Sequence, residues 1–562
     1  MERASASRGA TVLGQRWYAL ALFGLLLLAL GIRLYRLVPP DAGLLYAQDA
    51  DEGVYATTAQ LALQGYLPYR DFFTPMPPVA IYLYMLVLRA FYHPWGSPTG
   101  LMALRYFSVA CGALTVFLTS WLARMVGGRR AGLLAGAVIA VDGIVVAQDR
   151  RAMLEAPTNL LSILAILCCL LAQREAERAV QPSVALRRRY AWMAASGAFC
   201  TLALLVKGTA LVPILVIGVV IVARRRWEEA LPFGAALLVT YVLFAGVFLV
   251  LCPSEYIRQN YVFHLLRPWD GTAHPISRLL EMWSYPWSWL TIRVALVGIG
   301  VTLLAWRRAR GIYPLGVVIL WAGLVLLLLL TSKTYWATYF SQLAVPLSVM
   351  GGMLVSEDLL EGLAAATERL RIRVPFSTNK VQALLLIAIL VLGYPGVSIQ
   401  MQTTRAALEQ EKPVYPEMAD AINRLVPAAE TILVFEPNYT FLTSRPPAGA
   451  RPGSFFVDSY GEMLYRNLDI PNLSVAEIIT VWRRGERTSS RAIFHLPAAQ
   501  AEVLRVLDQA QYLVMDGRAL KQLTPETANR ITQASTVIHS AFASELRVRN
   551  AGERAADAPG VR

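Results

Sequence analysis

Cysteine is scarce in this sequence, and so is lysine. The 562 residues include only five cysteines, Cys111, Cys168, Cys169, Cys200 and Cys252, all in or next to apolar runs and none at metal-type spacing. The polar region after residue 401 has no cysteine, which excludes a disulfide framework there whichever compartment it faces. Of 52 basic residues only five are lysine, at 207, 333, 380, 412 and 521, so the net charge of +14 is carried almost wholly by arginine. Charged residues make up 16% of the chain, too few for a water-soluble protein of this size. No Gly-rich phosphate loop follows any strand-like stretch, which leaves nucleotide binding without support. Internal repeats and the paired half-symmetry of many transporters are also missing.

What is abundant is apolar sequence: 56% of residues are hydrophobic and the mean hydropathy is +0.47. Apolar runs lie at 17–38, 101–125, 131–148, 154–173, 190–206, 209–223, 229–251, 286–306, 313–331, 338–356 and 381–400. Runs of about 20 residues match the thickness of a bilayer, so the chain reads as a polytopic α-helical membrane protein. The basic stretch 1–16 precedes a run long enough to span, which reads as a retained first helix and not a cleaved signal. Arginine excess in such a chain points to topology and anionic lipid, not to nucleic acid.

Placing the N-terminus in the cytoplasm and letting each run cross once puts five basic connections inside. These are Gly127-Gly128-Arg129-Arg130, 174–190 with Arg187-Arg188-Arg189, Arg224-Arg225-Arg226, Arg307-Arg308-Ala309-Arg310, and 357–380. The pattern predicts about eleven spans, with the short stretch 79–91, broken by Arg89, as an interfacial or re-entrant helix. The outer face then receives the loop 39–100, the turn 149–155, Lys207-Gly208, the loop 252–285, the turn 332–336 and everything beyond 401. Residues 1–401 read as the transmembrane domain and 402–562 as an extracytoplasmic α/β domain. Helix-like and strand-like stretches at 416–425, 432–435, 474–484, 498–509, 512–515 and 537–548 predict a largely parallel sheet in that domain. The residues after Asn550 read as disordered.

The stretch 48–78 is the most unusual connection, with Asp49, Asp51, Glu52, Arg70 and Asp71 beside Tyr55, Tyr66 and Tyr69. A carboxylate on the outer face can act as general base toward an acceptor or hold a divalent cation; the alternative is a pair of solvated loop acids. The turn Asp149-Arg150-Arg151-Ala152-Met153-Leu154-Glu155 places arginines outside and an acid at the mouth of an apolar run. Ionisable groups there tend to be functional, the alternative being a salt-bridged turn. Asp142 is also embedded and has no assigned role. Lys207 and Lys333 each stand between apolar runs as point charges suited to a lipid phosphate, or as snorkelling anchors. His264 lies in an aromatic loop that fits sugar stacking or a headgroup belt. Asp51, Glu155 and His264 are the metal candidates, and a divalent cation is the only cofactor these residues suggest.

Taken in order, these pieces resemble the GT-C membrane glycosyltransferases, specifically the protein O-mannosyltransferase and aminoarabinose-transferase group. The family's first outer loop carries Asp-Glu-x-x-Tyr and a helix, an aromatic-acidic stretch, then Lys-Pro-Pro. Here it reads Asp51-Glu52-Gly53-Val54-Tyr55, then Pro68-Tyr69-Arg70-Asp71-Phe72-Phe73 and Met76-Pro77-Pro78. Arg150-Arg151-Ala152-Met153-Leu154-Glu155 is similar to the family's next outer turn, Lys207-Gly208 to its middle Lys-Gly, and Ser332-Lys333 with Tyr339 and Pro346 to its later Ser-Lys and Tyr-rich span. The chain departs from the pattern at Met76, where lysine is usual, at Thr74-Pro75, where many members place an acid, and at Val54, an arginine in some relatives; Arg70 is the charge at hand in that stretch. The resemblance covers about residues 17–356. It implies sugar transfer from a polyprenyl-phosphate donor to a protein, lipid or glycan acceptor on the non-cytoplasmic face. Asp51 matches the catalytic aspartate, and Lys207 and Lys333 match positions near the donor phosphate. Glu52, Tyr55, Arg70, Asp71, Arg150, Arg151, Glu155, His264 and Tyr339 complete the expected substrate-binding set. A transporter or flippase of lipid-linked glycans, or a non-catalytic relative, is the alternative; a transport path would need ionisable groups near the midplane, and these cluster at one face.

Overall fold

The computed structural model describes residues 2–35, 37, 49–95, 97–177, 182–272, 274–284, 288–306, 313–356, 384–398, 414–449, 455–484 and 494–550. The expected basic connections 307–310 and 357–380 and the tail after Asn550 lie outside these residues. Helices dominate: α1 Glu2–Leu34, α2 Ala50–Leu63, α3 Pro78–Trp95, α4 Ser97–Ala140, α5 Gly143–Asp149, α6 Glu155–Glu177, α7 Pro182–Leu204, α8 Leu211–Ala223 and α9 Ala230–Leu251 lead the order. Among the described residues six helices are long and apolar enough to cross a membrane: Arg16–Leu34, Thr99–Ala140, Glu155–Ala176, Trp227–Leu251, Pro314–Thr331 and Ala337–Val355. Shorter apolar helices include Pro78–Phe91, Gly208–Ala223, Leu290–Gly300 and Leu384–Ser398. Helices of this kind satisfy their own backbone, as lipid requires, and the chain is a multi-pass membrane protein.

Two compact units make up the chain. The first comprises Met1–Pro39, Arg105–Tyr241 and His274–Ala406. Its core is mostly aliphatic, with Val138, Ile166, Val216 and Val349 beside the aromatic Trp321 among the buried residues. The expected span 131–148 is not one helix. The α4 backbone turns at Gly128, whose φ of 88° is open to glycine, and stops at Ala140. Asp142 then starts α5 by accepting from Val145 N, and it also accepts from Ser288 Oγ at 2.9 Å and Thr291 Oγ1 at 2.6 Å. That gives the embedded acid its role: it breaks a run that hydropathy alone reads as continuous.

The basic turns gather at one end of this unit. Arg189 Nε donates to Glu229 Oε1 at 2.5 Å, Arg226 Nη1 to the same oxygen at 3.4 Å, and Gln173 Nε2 to Glu229 Oε2 at 2.8 Å. Arg174 Nη2 reaches the Met125 carbonyl at 2.6 Å. Met125, Gln173, Arg174, Arg189 and Arg226, which lie in or beside the basic connections 127–130, 174–190 and 224–226, are thus joined by these contacts and those with Glu229.

The second unit comprises Pro40–Leu104, Val242–Ala273 and Ala407–Arg562. It holds α2, α3, the segment 253–266 and the polar tail. The tail's sheet has β1 Ile432–Leu433, β2 Tyr512–Met515, β3 Ser535–Ala541 and β4 Ser544–Arg549, in the order β1-β2-β4-β3. β1 and β2 are parallel, whereas β4 runs antiparallel to both β2 and β3, so the sheet is mixed and not largely parallel. The reason is local. The stretch expected as 537–548 is a hairpin that turns at Phe542, φ 55°, in Ala541-Phe542-Ala543-Ser544, which carries no Gly, Asn or Asp to announce a turn. Ile422, Val434, Val514 and Leu546 pack on one face of the sheet, and Leu433, Phe456, Leu464, Val503 and Leu513 on the other.

Candidate active site

In the second unit Asp51 lies in the first turn of α2. Asp49 caps this helix, its side chain accepting from Asp51 N, and two acids in the first turn complement the helix dipole. Asp51 is exposed and accepts from Tyr55 Oη at 3.4 Å, one helical turn on. Tyr55 packs edge-on against Tyr84, with ring centroids 6.3 Å apart. Glu52 is fully buried, so it is not a solvated loop acid.

Downstream, Arg70 and Asp71 form a two-point ion pair, Nε to Oδ1 at 2.7 Å and Nη2 to Oδ2 at 2.9 Å. The Arg70 hydrogen bond holds the Asp71 carboxyl below the usual range, and Asp71 Oδ2 also accepts from Leu67 N at 2.7 Å, closing the turn. Between these lies Tyr69, buried in the left-handed region at φ 71°, an uncommon place for a bulky side chain. Its hydroxyl donates to the Met76 carbonyl at 2.6 Å and its ring meets Phe248 and Tyr256 edge-on. Gln259 fastens the same loop twice, donating to Tyr69 O at 2.8 Å and accepting from Thr74 N at 2.9 Å. It does so from a π-helical segment, Arg258–Val262, a distortion often found at functional sites. His264 Nε2 lies 3.1 Å from Pro75 O. The Thr74-Pro75-Met76 departure is thus a segment held through its backbone.

The tail residues of this unit bring more charge to α2. Burial raises the Glu436 carboxyl to about 7 and pushes the Asp458 and Asp516 carboxyls up as well. Burial works against the charge of Arg518, but Glu436, Asp458, Asp51 and Asp516 together keep its guanidinium above the ordinary value.

In the first unit the expected residues come together around Lys207. α7 ends at Leu204 and the backbone is extended at Lys207 before a short 3-10 turn, which releases the side chain from both helices. Its Nζ donates to Glu155 Oε1 at 2.5 Å and sits 4.4 Å from the centre of the Tyr339 ring. Glu155 is 1% exposed, and its Oε2 is buried without a hydrogen-bond partner. Gln342 Nε2 donates to Thr209 Oγ1 at 2.8 Å, joining the Tyr339 segment to the turn after Lys207. Lys333 is half-buried, and burial lowers its pKa. Its turn is fixed by Arg278, which is fully buried, donates to the Leu329 and Ser332 carbonyls at 2.7 Å each, and stacks 5.1 Å from the Tyr335 ring.

The turn 149–155 is tied to the first helix. Arg33 Nε and Asp149 Oδ2 pair at 2.8 Å with both side chains buried, and Arg150 Nη1 donates to the Ile32 carbonyl at 3.0 Å. Arg151 is partly buried beside them. Sequence reasoning missed Arg33, although an arginine inside an apolar run was the available signal. It also missed Gln259, Glu436, Asn438 and Arg518, for which no sequence signal exists. Among the described residues no group of three or more His, Cys, Asp or Glu side chains could hold a metal ion. Glu155 and His264, two of the metal candidates, already engage Lys207 and the Pro75 carbonyl.

A model of the dolichyl-phosphate-mannose-protein mannosyltransferase family matches residues 85–265. Among solved structures, ArnT from Cupriavidus metallidurans bound to undecaprenyl phosphate is 15% identical, with 97% of this chain and 98% of that chain covered and a TM-score of 0.62. The Archaeoglobus fulgidus oligosaccharyltransferase in its apo form is 13% identical, covering 96% of this chain and 75% of that one, with a TM-score of 0.54. No curated protein matches in sequence. At such identities the likeness is one of fold. The architecture of this chain is the one that ArnT and the archaeal oligosaccharyltransferase share.

Proposed function

We propose that this protein is an integral membrane glycosyltransferase, moving a sugar from a polyprenyl-phosphate donor to a protein, lipid or glycan acceptor on the non-cytoplasmic face. The observation that supports this most is the end-to-end fold match to ArnT, whose structure holds undecaprenyl phosphate. In this reading Asp51 is the base. An acceptor hydroxyl has a pKa far above 7, so a carboxylate helps by taking its proton as the new glycosidic bond forms. Polyprenyl phosphate departs with the electrons of the broken bond, and Lys207 and Lys333 neutralise its charge. Glu155 and the Tyr339 ring hold the Lys207 ammonium in one place for that task. No step is assigned to a metal. The N-terminus lies in the cytoplasm, residues 1–401 form the membrane domain and 402–562 lie outside.

The deciding experiment is an in vitro assay of the full chain with polyprenyl-phosphate sugars. Transfer that depends on Asp51 is the expected result; movement of a lipid-linked glycan across the bilayer without transfer would replace this reading with a flippase. Topology is tested by cysteine labelling, made clean by the burial of all five native cysteines. A reagent confined to the outside is expected to label Val475→Cys and to miss Ser183→Cys, both positions being exposed. The reverse pattern would invert the protein and remove Asp51 from the outer face.

A further inference from the structure

The helix that presents Asp51 is held along one side by the polar tail. Asn438 Nδ2 donates to the main-chain carbonyl of Asp49, the cap residue of α2, at 3.2 Å and to Glu436 Oε1 at 2.5 Å. Gly53 comes next: a Cβ there would lie 2.4 Å from Asn438 N, so the two backbones touch only because the residue is glycine. Thr57 Oγ1 and Thr440 Oγ1 are 3.1 Å apart. Asp49, Gly53 and Thr57 are spaced by four and line one face of the helix. At about 100° per residue, Asp51 is turned about 200° away from Asp49, and Tyr55 follows it on the opposite face. One face of α2 is therefore clamped by the tail, and the exposed Asp51 carboxylate is carried on the other, where Tyr55 packs against Tyr84. Asn438 and Glu436 are both buried, so the clamp is shielded from water.

We propose that Asn438 is a positioning residue for the transfer step, fixing the start of α2 so that the Asp51 carboxylate meets the acceptor proton in the required geometry. This rests on the reading of Asp51 as the base. It also gives the tail a part in the reaction beyond any contact with substrate. A displacement of about 1 Å at a catalytic group can cost up to about 100-fold in rate, so loss of one clamp hydrogen bond has a measurable consequence.

The test uses the full-length protein in nanodiscs and measures kcat and the donor KM per donor-binding molecule. Asn438→Asp keeps the shape and removes the N–H donors; Asn438→Ser serves if that variant does not fold. The expected result is a fall in kcat of about tenfold or more with the donor KM unchanged. Gln500→Ala is the stability control. Gln500 bonds the Phe494 and Gln522 carbonyls inside the tail, so its loss is expected to lower Tm and leave kcat alone. In an Asp51→Asn background the Asn438 substitution is expected to add nothing. Full kcat in Asn438→Asp would overturn the proposal. So would an equal fall in both backgrounds, which would leave the Asp51 reading standing. Near-normal turnover by Asp51→Asn would sink the base and the positioning role together.

Discussion

Asp51 and Glu155 carry the same sequence signature and live in opposite surroundings. Each is an acid in the first turn of a helix, where the dipole favours a carboxylate. Asp51 is exposed beside a tyrosine hydroxyl, whereas Glu155 is 1% exposed and locked at 2.5 Å to an ammonium that itself rests on an aromatic ring. Asp51 also contributes to the charge around Arg518, together with Glu436, Asp458 and Asp516, whereas Glu155 would have to abandon a half-buried cation in direct contact to act on a substrate. Residue type and helix position do not assign the role. The groups around the carboxylate do.

The largest expected effect separates the two acids directly. Asp51→Asn is expected to lower kcat by roughly 10²–10⁴-fold while the donor KM holds, the mark of a base acting only as the bond forms. Glu155→Gln is expected to do the reverse, raising the donor KM through a displaced Lys207 with kcat largely kept. Steady-state kinetics on the two variants suffice. If Glu155→Gln loses kcat at constant KM, the division of labour is wrong.

A second test goes through the partner. Lys207→Met leaves Glu155 buried and uncompensated, and breaking such a pair costs about 3–5 kcal/mol. Donor affinity is expected to fall by about tenfold or more, as for a lost charge-assisted hydrogen bond. The double variant Lys207→Met/Glu155→Gln is expected to regain stability and not affinity. Thermal unfolding and donor binding, measured side by side, read the two effects separately. Recovery of affinity in the double variant would remove Lys207 from the phosphate.

Much of the membrane part was legible because it rests on periodicity and length. Apolar runs located the long helices, and the basic turns that share Glu229 and Met125 are the ones the charge pattern had placed together. Asp51, Lys207 and Glu155 stood out because each is an ionisable group in an apolar or aromatic setting. What stayed hidden was set by partners remote in sequence. The break at Asp142 needs Ser288 and Thr291, the strained Tyr69 needs Gln259, and the clamp on α2 needs Asn438, 389 positions from Asp49. The hairpin at Phe542 was missed for a different reason, a turn built from residues without turn chemistry.

The last expected effect, on stability alone and not on turnover, comes from a third acid, buried like Glu155 and lacking its close cation. Glu462 in the tail is 2% exposed, its Oε2 has no hydrogen-bond partner, and Arg466 approaches only to 3.8 Å. Burial raises its carboxyl from the ordinary 4.5 to about 8, the Arg466 charge opposing this without prevailing. The folded protein therefore keeps a proton that the unfolded chain releases above 4.5. Stability from this group is present below that value, declines as pH rises through the window up to about 8, and is flat beyond it. The slope for one such group is at most about 1.4 kcal/mol per pH unit. Asp71 runs the other way: Arg70 lowers its carboxyl, so its contribution is present above the unfolded value and fades as pH falls through the folded one. Glu462→Gln removes the Glu462 slope. The variant is expected to match the native protein near pH 5 and to unfold at a higher temperature near pH 8, by thermal scans across that range. Parallel pH curves for the two proteins would mean that Glu462 is already ionised in the fold, and that a cation at 3.8 Å serves as well as the one at 2.5 Å that Glu155 has.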